Sequence, residues 1–173
     1  MNLNDVLYSR KSIRSYTGEA ITDEQLAEIL KAAYASPVGR GNYDNVQITV
    51  ITNPELLAKI DACIDNPDMH PLYGAPMLIL ISGPLGGTPA DNISYSNAAI
   101  INHNMSLKAV ELGIGHCDIW GVIMAMNAKH PEVVAELGLP EGFKPLSSLI
   151  LGVTADSYTE REIPERMKTA YIK

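Results

Sequence analysis

Positive charge and long apolar runs are both scarce in this chain. Lysine and arginine number 13 against 20 acidic residues, which gives a formal net charge of -7. The resulting pI near 5.0 argues against nonspecific binding to nucleic acid or to an anionic membrane. No apolar run approaches the ~20 residues that a membrane helix needs, and the first five residues lack a signal-peptide pattern. These absences favour a cytoplasmic protein without nucleic-acid or membrane partners.

Metal-ligand and nucleophile motifs are missing as well. Cys63 and Cys117 stand alone, without CxxC or zinc spacing, which suits a reducing compartment where no disulfide is expected. The glycine-rich segment from Gly83 to Gly87 lacks the ending of a phosphate loop, and no nucleophile elbow is present. No HExxH or related spacing occurs, so no metal site is predicted among His70, His103, His116 and His130.

Apolar periodicity predicts one domain, 1–173, that mixes helices and strands. Thr22 to Gln25 reads as a capping box, and Asn53-Pro54 reads as an N-cap followed by proline in the first turn. A short apolar stripe predicts a further helix near the N-terminus, and another is predicted late in the chain. The predicted helices therefore begin near 3, 22, 53, 94 and 131. Alternation or continuous apolar runs predict strands at 46–50, 77–81, 117–120 and 147–153.

The longest predicted helix runs from Ser94 to Leu112 and is apolar nearly all round. Such a helix is central to a core or lies in a subunit interface, and in a chain this small an interface is a serious alternative. His103 on this helix is expected to be an interior histidine. The residues from Thr154 to the end are polar with little periodicity, so this tail either frays or packs on a partner.

The segment Ser9-Arg10-Lys11-Ser12-Ile13-Arg14 concentrates three cations on an otherwise acidic chain. In an extended backbone Arg10, Ser12 and Arg14 would share one face. Guanidinium and hydroxyl groups suit a phosphate or a polarised carbonyl, which predicts a bound anion. A solvated turn between two elements is the alternative reading, and this segment by itself does not separate the two.

The order of motifs resembles the nitroreductase family of flavoproteins over almost the whole chain. The resemblance comprises the basic segment from Ser9 to Arg14, Ile21 to Leu26 at a helix start and Ala35-Ser36-Pro37 at its end. It continues with Ala75-Pro76, with Leu112-Gly113-Ile114-Gly115-His116-Cys117 after the long helix, and with Leu151-Gly152 in the last strand. The resemblance implies an α+β fold, a three-layer α/β/α sandwich around a mostly antiparallel sheet. It also implies an intertwined homodimer with FMN at the interface, and a tail, 154–173, that packs on the partner subunit.

The same resemblance implies the site. Arg10, Lys11 and Ser12 would bind the FMN phosphate, and Arg14 would stabilise negative charge on the reduced ring. No side chain is required as a catalyst, because the flavin N5 carries the chemistry. Cofactor contacts are further implied for the loop after the second helix, the segment near the third strand and the tail, at Pro37, Val38, Gly39, Gly41, Asn42, Trp120, Gly121, Arg161 and Arg166. Trp120 is either core or a wall on which the ring stacks.

One departure from the family pattern falls at the flavin ring. Members usually follow Ser-Pro with a short loop and Gln-Pro-Trp, whereas this chain has Val38 to Asn45 without that motif. The implied activity is an oxidoreductase that takes electrons from NADH or NADPH and passes them through FMN to a nitroaromatic, quinone or similar acceptor. The alternatives are a flavin-binding redox sensor or carrier without turnover, and a flavin-dependent dehydrogenase or flavin-processing enzyme of the same fold.

Overall fold

The computed structural model describes all residues, 1–173, and consists of four strands, six α-helices and three short 3-10 turns. In chain order the elements are α1 (Leu3–Ser9), α2 (Asp23–Tyr34), β1 (Gln47–Ile51), α3 (Pro54–Asp61), β2 (Met77–Pro84), α4 (Asp91–Glu111), β3 (Gly115–Asp118), α5 (Gly121–Lys129), α6 (Pro131–Ala135) and β4 (Phe143–Gly152). No helix is long and apolar enough to cross a membrane.

The four strands form one sheet in the order β1-β2-β4-β3, and every neighbouring pair is antiparallel. Leu78 pairs with Ile150 at the centre of the sheet, and the register between β2 and β4 shifts by one residue between Ile81 and Ser82. Such a shift accommodates an extra residue on one strand and increases the local twist. The sheet is therefore wholly antiparallel, in agreement with the expected fold.

Helices cover both faces of this sheet. On one face α3, α5 and α6 pack on a cluster that includes Leu78, Leu80 and Ile150. On the other face α2 and α4 pack on a cluster that includes Ile79 and Leu149. Because successive side chains of a strand point to opposite faces, the continuous apolar runs in β2 and β4 supply both cores. The predicted three-layer α/β/α arrangement is confirmed.

The helix starts follow the capping signals in the sequence. Thr22 accepts from the backbone N–H of Gln25, whose side chain accepts from the N–H of Thr22 in return. The Asn53 side chain caps α3 in the same way, with Pro54 in the first turn. Each such cap satisfies backbone donors that have no partner inside the helix.

Several predicted boundaries differ from the structure. The long helix begins at Asp91 rather than Ser94, and the third strand spans Gly115–Asp118 rather than 117–120. The segment Gly121–Lys129 is a helix that periodicity did not predict, because it is apolar on several sides and gives no 3.6-residue stripe. The expectation for His103 is wrong, since that residue is exposed on α4.

The tail contains no helix or strand beyond Gly152. Tyr158 is its last half-buried residue, and the backbone N–H of Arg161 donates to the carbonyl of Tyr8. Every residue after Tyr158 is exposed, including the apolar side chains of Met167, Tyr171 and Ile172. The tail thus reaches α1 and then projects its apolar side chains into solvent.

Candidate functional site

The basic segment lies extended against the edge strand β3. The N–H of Ile13 donates to the carbonyl of His116 at 2.8 Å, and the Tyr16 hydroxyl donates to the carbonyl of Ile13 at 2.9 Å. Ile13 is fully buried, whereas Ser12 is half-buried and Arg14 is exposed. Ile13 is therefore the residue that fixes this extended segment to the core.

Arg10 is held by a carboxylate from the end of β3. Its Nη2 lies 2.7 Å from Oδ2 of Asp118, and the two side chains are 25% and 40% exposed. The other carboxylate oxygen, Oδ1, accepts from Asn102 Nδ2 at 2.8 Å and lies 3.0 Å from Ser106 Oγ. Asn102 and Ser106 are buried on α4. A chain of polar contacts thus connects the basic segment to the interior of the long helix.

Buried donors without partners cluster around this chain of contacts. Arg10 Nε and the hydroxyl of Ser9 make no hydrogen bond within the protein. Asp118 accepts from one guanidinium N–H, while an arginine side chain offers five. The guanidinium consequently keeps donors for a further acceptor.

His116 lies on the same side of β3 as Asp118. Burial, together with the nearby Arg10 cation, lowers the pKa of His116 to about 4. Its Nδ1 lies 2.7 Å from the hydroxyl of Tyr158, which also donates to the carbonyl of Ile114 at 2.8 Å. Since the tyrosine has one proton to give, the histidine donates from Nδ1, and its lowered pKa keeps the ring neutral near pH 7. This contact ties the tail to β3.

The other members of the basic segment point elsewhere. The guanidinium of Arg14 lies 5.8 Å from the centre of the Tyr73 ring, a cation-π arrangement at the protein surface. Lys11 is half-buried. Arg161 comes close to this region through its backbone contact with Tyr8, and Arg166 is exposed further along the tail.

The loop after α2 packs against the first half of α4. The N–H of Gly39 donates to Oδ1 of the buried Asn97 at 2.9 Å, and a cavity of about 290 Å³ is lined by Gly39, Arg40, Asn42 and the residues around the start of α4. A second cavity of about 440 Å³ lies beside Pro37, Val38 and Gly39. Arg40 has a left-handed backbone, with φ of 60°, between two glycines. Gly41 follows, also left-handed and exposed.

Trp120 is exposed rather than part of the core. Its ring centre lies 6.3 Å from that of Tyr95 on α4, with the ring planes inclined at 51°. Together with Met124 and Leu146 these rings line a cavity of about 310 Å³. Gly121, also exposed, begins α5 directly after Trp120. The structure therefore excludes the core alternative for Trp120.

Two flanks of α4 carry these groups. Because an α-helix turns about 100° per residue, residues 93, 97 and 100 share one flank, and residues 95, 102 and 106 share the opposite flank. The first flank contacts the loop at 37–42, and the second contacts Trp120 and Asp118. Within one chain the structure consequently brings Arg10, Asp118 and Trp120 to one flank and the loop at 37–42 to the other.

Sequence reasoning missed Asp118, Asn102 and Ser106. Asp118 is separated from Arg10 by 108 positions, and no motif links them. The available signal was weak: Asn102 and Ser106 are four positions apart, but they are only two of several polar residues on this helix. Buried polar side chains at such spacing indicate a shared partner, because burying them without one is costly.

This chain is an α+β sandwich, with an antiparallel sheet between two helical layers and a basic segment along the edge of the sheet. Residues 7–67 match the family model described as the nitroreductase family. A protein of Archaeoglobus fulgidus named as an NADH dehydrogenase/NAD(P)H nitroreductase is 28% identical over 161 residues, covering 93% of this chain and 90% of that protein. An FMN reductase (NAD(P)H) of Bacillus subtilis is 27% identical over 177 residues, covering 89% of this chain and 68% of that protein.

The fold is also that of solved nitroreductases. The crystal structure of a nitroreductase with bound FMN from Bacteroides fragilis matches with a TM-score of 0.82 at 22% identity, over 99% of this chain and all of that one. A nitroreductase with bound FMN from Desulfitobacterium hafniense matches with a TM-score of 0.81 at 23% identity, over 100% of both chains. The resemblance of this chain to the nitroreductase family is therefore confirmed, and it has the nitroreductase fold.

Proposed function

We propose that this chain is an FMN-dependent oxidoreductase that passes electrons from NADH or NADPH to a nitroaromatic, quinone or similar acceptor. The observation that carries the proposal is the guanidinium of Arg10, which donates one N–H to Asp118 and keeps other donors without a partner. It lies on the basic segment next to Lys11 and Ser12. Relatives named as nitroreductase or FMN reductase support an oxidoreductase, and the fold matches supply FMN-bound examples.

The donors on the basic segment fit a phosphate. Arg10 retains a buried Nε without a partner, and Ser12 and Lys11 are half-buried on the next two positions. On a chain of net charge -7 a phosphate dianion needs such a local concentration of cations. Arg10, Lys11 and Ser12 would hold the phosphate, and Arg161 would join them from the tail. Arg166 would reach the same anion only through a different course of the tail.

Bound FMN would supply hydride transfer at its ring, so the protein has to bind, orient and shield rather than react. Arg14 would stabilise negative charge on the ring when it is reduced, and Trp120 with Gly121 would form a wall beside it. Replacement of Arg14 by Gln should then lower the flavin reduction potential while FMN remains bound through Arg10 and Ser12. Potentiometry of the two proteins measures this effect.

A homodimer is part of this proposal. The loop at 37–42 and the segment around Arg10 lie on opposite flanks of α4, so one subunit does not bring them to a single flavin. The loop flank of α4 carries Ile100 at 40% exposure, and the tail exposes further apolar side chains. A second copy packed on α4 would cover these groups and could place its loop beside the first subunit's Arg10.

The experiment is the visible spectrum of the purified protein followed by anaerobic addition of NADH or NADPH. A flavin spectrum that bleaches with either nicotinamide, and recovers on addition of a quinone or nitroaromatic, supports the enzyme. A protein that holds FMN but is reduced by neither nucleotide contradicts the nicotinamide-dependent reaction. The flavin-binding sensor or carrier, or an enzyme with another electron donor, would then be the better account.

A further inference from the structure

Asp118 is an unexpected neighbour for a residue that is to bind an anion. Its carboxylate approaches Arg10 to 2.7 Å, beside the segment that carries the local positive charge. A carboxylate at this place can act in two opposite ways. It can neutralise the arginine and compete with a phosphate, or it can hold the guanidinium in the orientation that a phosphate requires.

The surroundings of Asp118 favour orientation. Its Oδ1 accepts from Asn102 Nδ2 at 2.8 Å and lies 3.0 Å from Ser106 Oγ, both from the interior of α4. The Ser106 hydroxyl is also 3.0 Å from the carbonyl oxygen of Asn102 and shares its one proton between the two acceptors. Asn102 is 5% exposed and Ser106 is fully buried, so these donors are immobilised by packing. A carboxylate restrained on one oxygen presents its other oxygen at a constant place.

Arg10 benefits from such restraint. An arginine side chain has several rotatable bonds, so in solvent it adopts many conformations unless a partner holds it in one of them. Asp118 takes one N–H of Nη2 and leaves the remaining donors of the guanidinium for a second acceptor. The same arrangement accounts for two of the three polar side chains that α4 buries, the third being Asn97.

We propose that Asp118 is a positioning residue for the flavin phosphate, acting through Arg10, with Asn102 and Ser106 as its supports. This inference rests on the proposed function, because it assigns the second acceptor of Arg10 to the phosphate of FMN. It predicts that Asp118 contributes to binding of the phosphate and not of the ring. Riboflavin, which has the same ring without the phosphate, is therefore the matched ligand.

The test is titration of the flavin-free full-length protein with FMN and with riboflavin, followed by flavin fluorescence. Asp118→Asn keeps the shape but removes the charge, and its single amide oxygen cannot accept from both Arg10 and the α4 donors. The Kd for FMN should rise about tenfold, the size expected for weakening one charge-assisted hydrogen bond. The Kd for riboflavin should stay within twofold. Asp156→Asn, the same change at an exposed tail residue, is the control and should alter neither Kd.

Ser106→Ala extends the test to a support and guards against misfolding of the first variant. It should raise the Kd for FMN about threefold, again without changing riboflavin binding. Tighter binding of FMN by Asp118→Asn would show a competing carboxylate and overturn the proposal. An equal change for both flavins, or no change in either variant, would also overturn it.

The result also separates this inference from the proposed function. If the wild-type protein binds FMN no better than riboflavin, the phosphate assignment itself fails. If the wild type prefers FMN and Arg10→Ala abolishes the preference, the assignment stands. An unchanged preference in Asp118→Asn then counts against Asp118 alone.

Discussion

The two flanks of α4 use similar polar residues to hold different groups, a charged side chain on one flank and a loop backbone on the other. On one flank Asn102 and Ser106 contact one carboxylate oxygen of Asp118, and the other oxygen accepts from Arg10. These contacts form a continuous polar network from the core to the surface. On the other flank Asn97 bonds a single backbone N–H of a glycine-rich loop that is otherwise exposed and borders two cavities. The first arrangement fixes one charged side chain, while the second holds a loop backbone through one side-chain hydrogen bond and the packing of Val38 on the core. On the proposed function, the first flank would hold the anion and the loop of the second would contact the ring.

The largest expected effect concerns Ile100, an exposed apolar residue on the flank of α4 that faces the loop at 37–42. Replacing Ile100 with Asp places a charge on a half-exposed apolar position that the proposed second copy would cover. We expect a monomer in analytical ultracentrifugation and loss of bound flavin, with the subunit still folded by circular dichroism. Met105, by contrast, faces the core with no exposure, so Met105→Asp would unfold the subunit and would not test assembly.

Met69→Asp is the matched control for this experiment. Met69 is an exposed apolar side chain in the loop before β2, and loop residues around it pack with the cluster on the other face of the sheet. This variant should remain dimeric and retain flavin. A wild-type protein that sediments as a flavin-loaded monomer would contradict the assembly of both flanks into one site.

The second effect is acid sensitivity, which we expect only on the Asp118 flank. The pKa of His116 is lowered to about 4 by burial and by Arg10, whereas the unfolded chain has a value near 6.5. The neutral form is favoured in the fold, so this stabilising contribution is complete above pH ~6.5 and is lost as the pH falls towards 4. The loss at pH 4 is on the order of 3 kcal/mol of unfolding free energy.

Comparison with His116→Asn isolates this contribution. The asparagine amide can donate to Tyr158 as the imidazole does, but it does not titrate. Urea unfolding at several pH values should give a steeper loss of stability between pH 6.5 and 4 for the wild type than for the variant. Parallel pH profiles would show that His116 is not held neutral by the fold.

The third effect compares one arginine from each flank. Arg10→Ala removes the proposed phosphate donor, so the binding free energy of FMN should weaken by about 2–3 kcal/mol, with little change for riboflavin. Arg40→Ala deletes the same charge from the exposed loop of the other flank. Fluorescence titration should show a minor change in that variant, of similar size for both flavins. Equal loss of both flavins in Arg10→Ala would remove the phosphate assignment.

Sequence reasoning found what is local and missed what the fold brings together. The burial of Ile13 within the basic segment is predictable because it is the apolar residue among charged and polar neighbours. The contact of Arg10 with Asp118 was not, because it depends on the course of β3 beside the basic segment. The apolar character of α4 was recognised, but the division into flanks depends on where the loop and β3 approach it.

The same distinction explains the misassigned elements. Capping residues identified the starts of α2 and α3 because a cap is a signal carried by adjacent residues. The helix Gly121–Lys129 has no side-chain cap and no clear apolar stripe. It is therefore recognisable only from its packing against α3, α6 and β4 in the folded chain. The sequence does not decide whether Trp120 lies in the core or forms a wall, because its exposure depends on neighbours distant in the sequence.

The smallest predicted effect tests the flank of α4 that faces the loop at 37–42. Asn97→Ala removes the acceptor for the N–H of Gly39 and should cost about 1 kcal/mol of unfolding free energy, the usual value for one neutral hydrogen bond. Asn92→Ala is the control for the stability measurement alone, because Asn92 lies on the same helix and is exposed but lines the same cavity as the loop. If the loop of this flank contacts the flavin ring, Asn97→Ala should weaken FMN and riboflavin by the same small factor, about two- to threefold on the basis of a loosened backbone contact. A selective loss of FMN would place the phosphate beside the loop instead, and the assignment of the two flanks to phosphate and ring would be reversed.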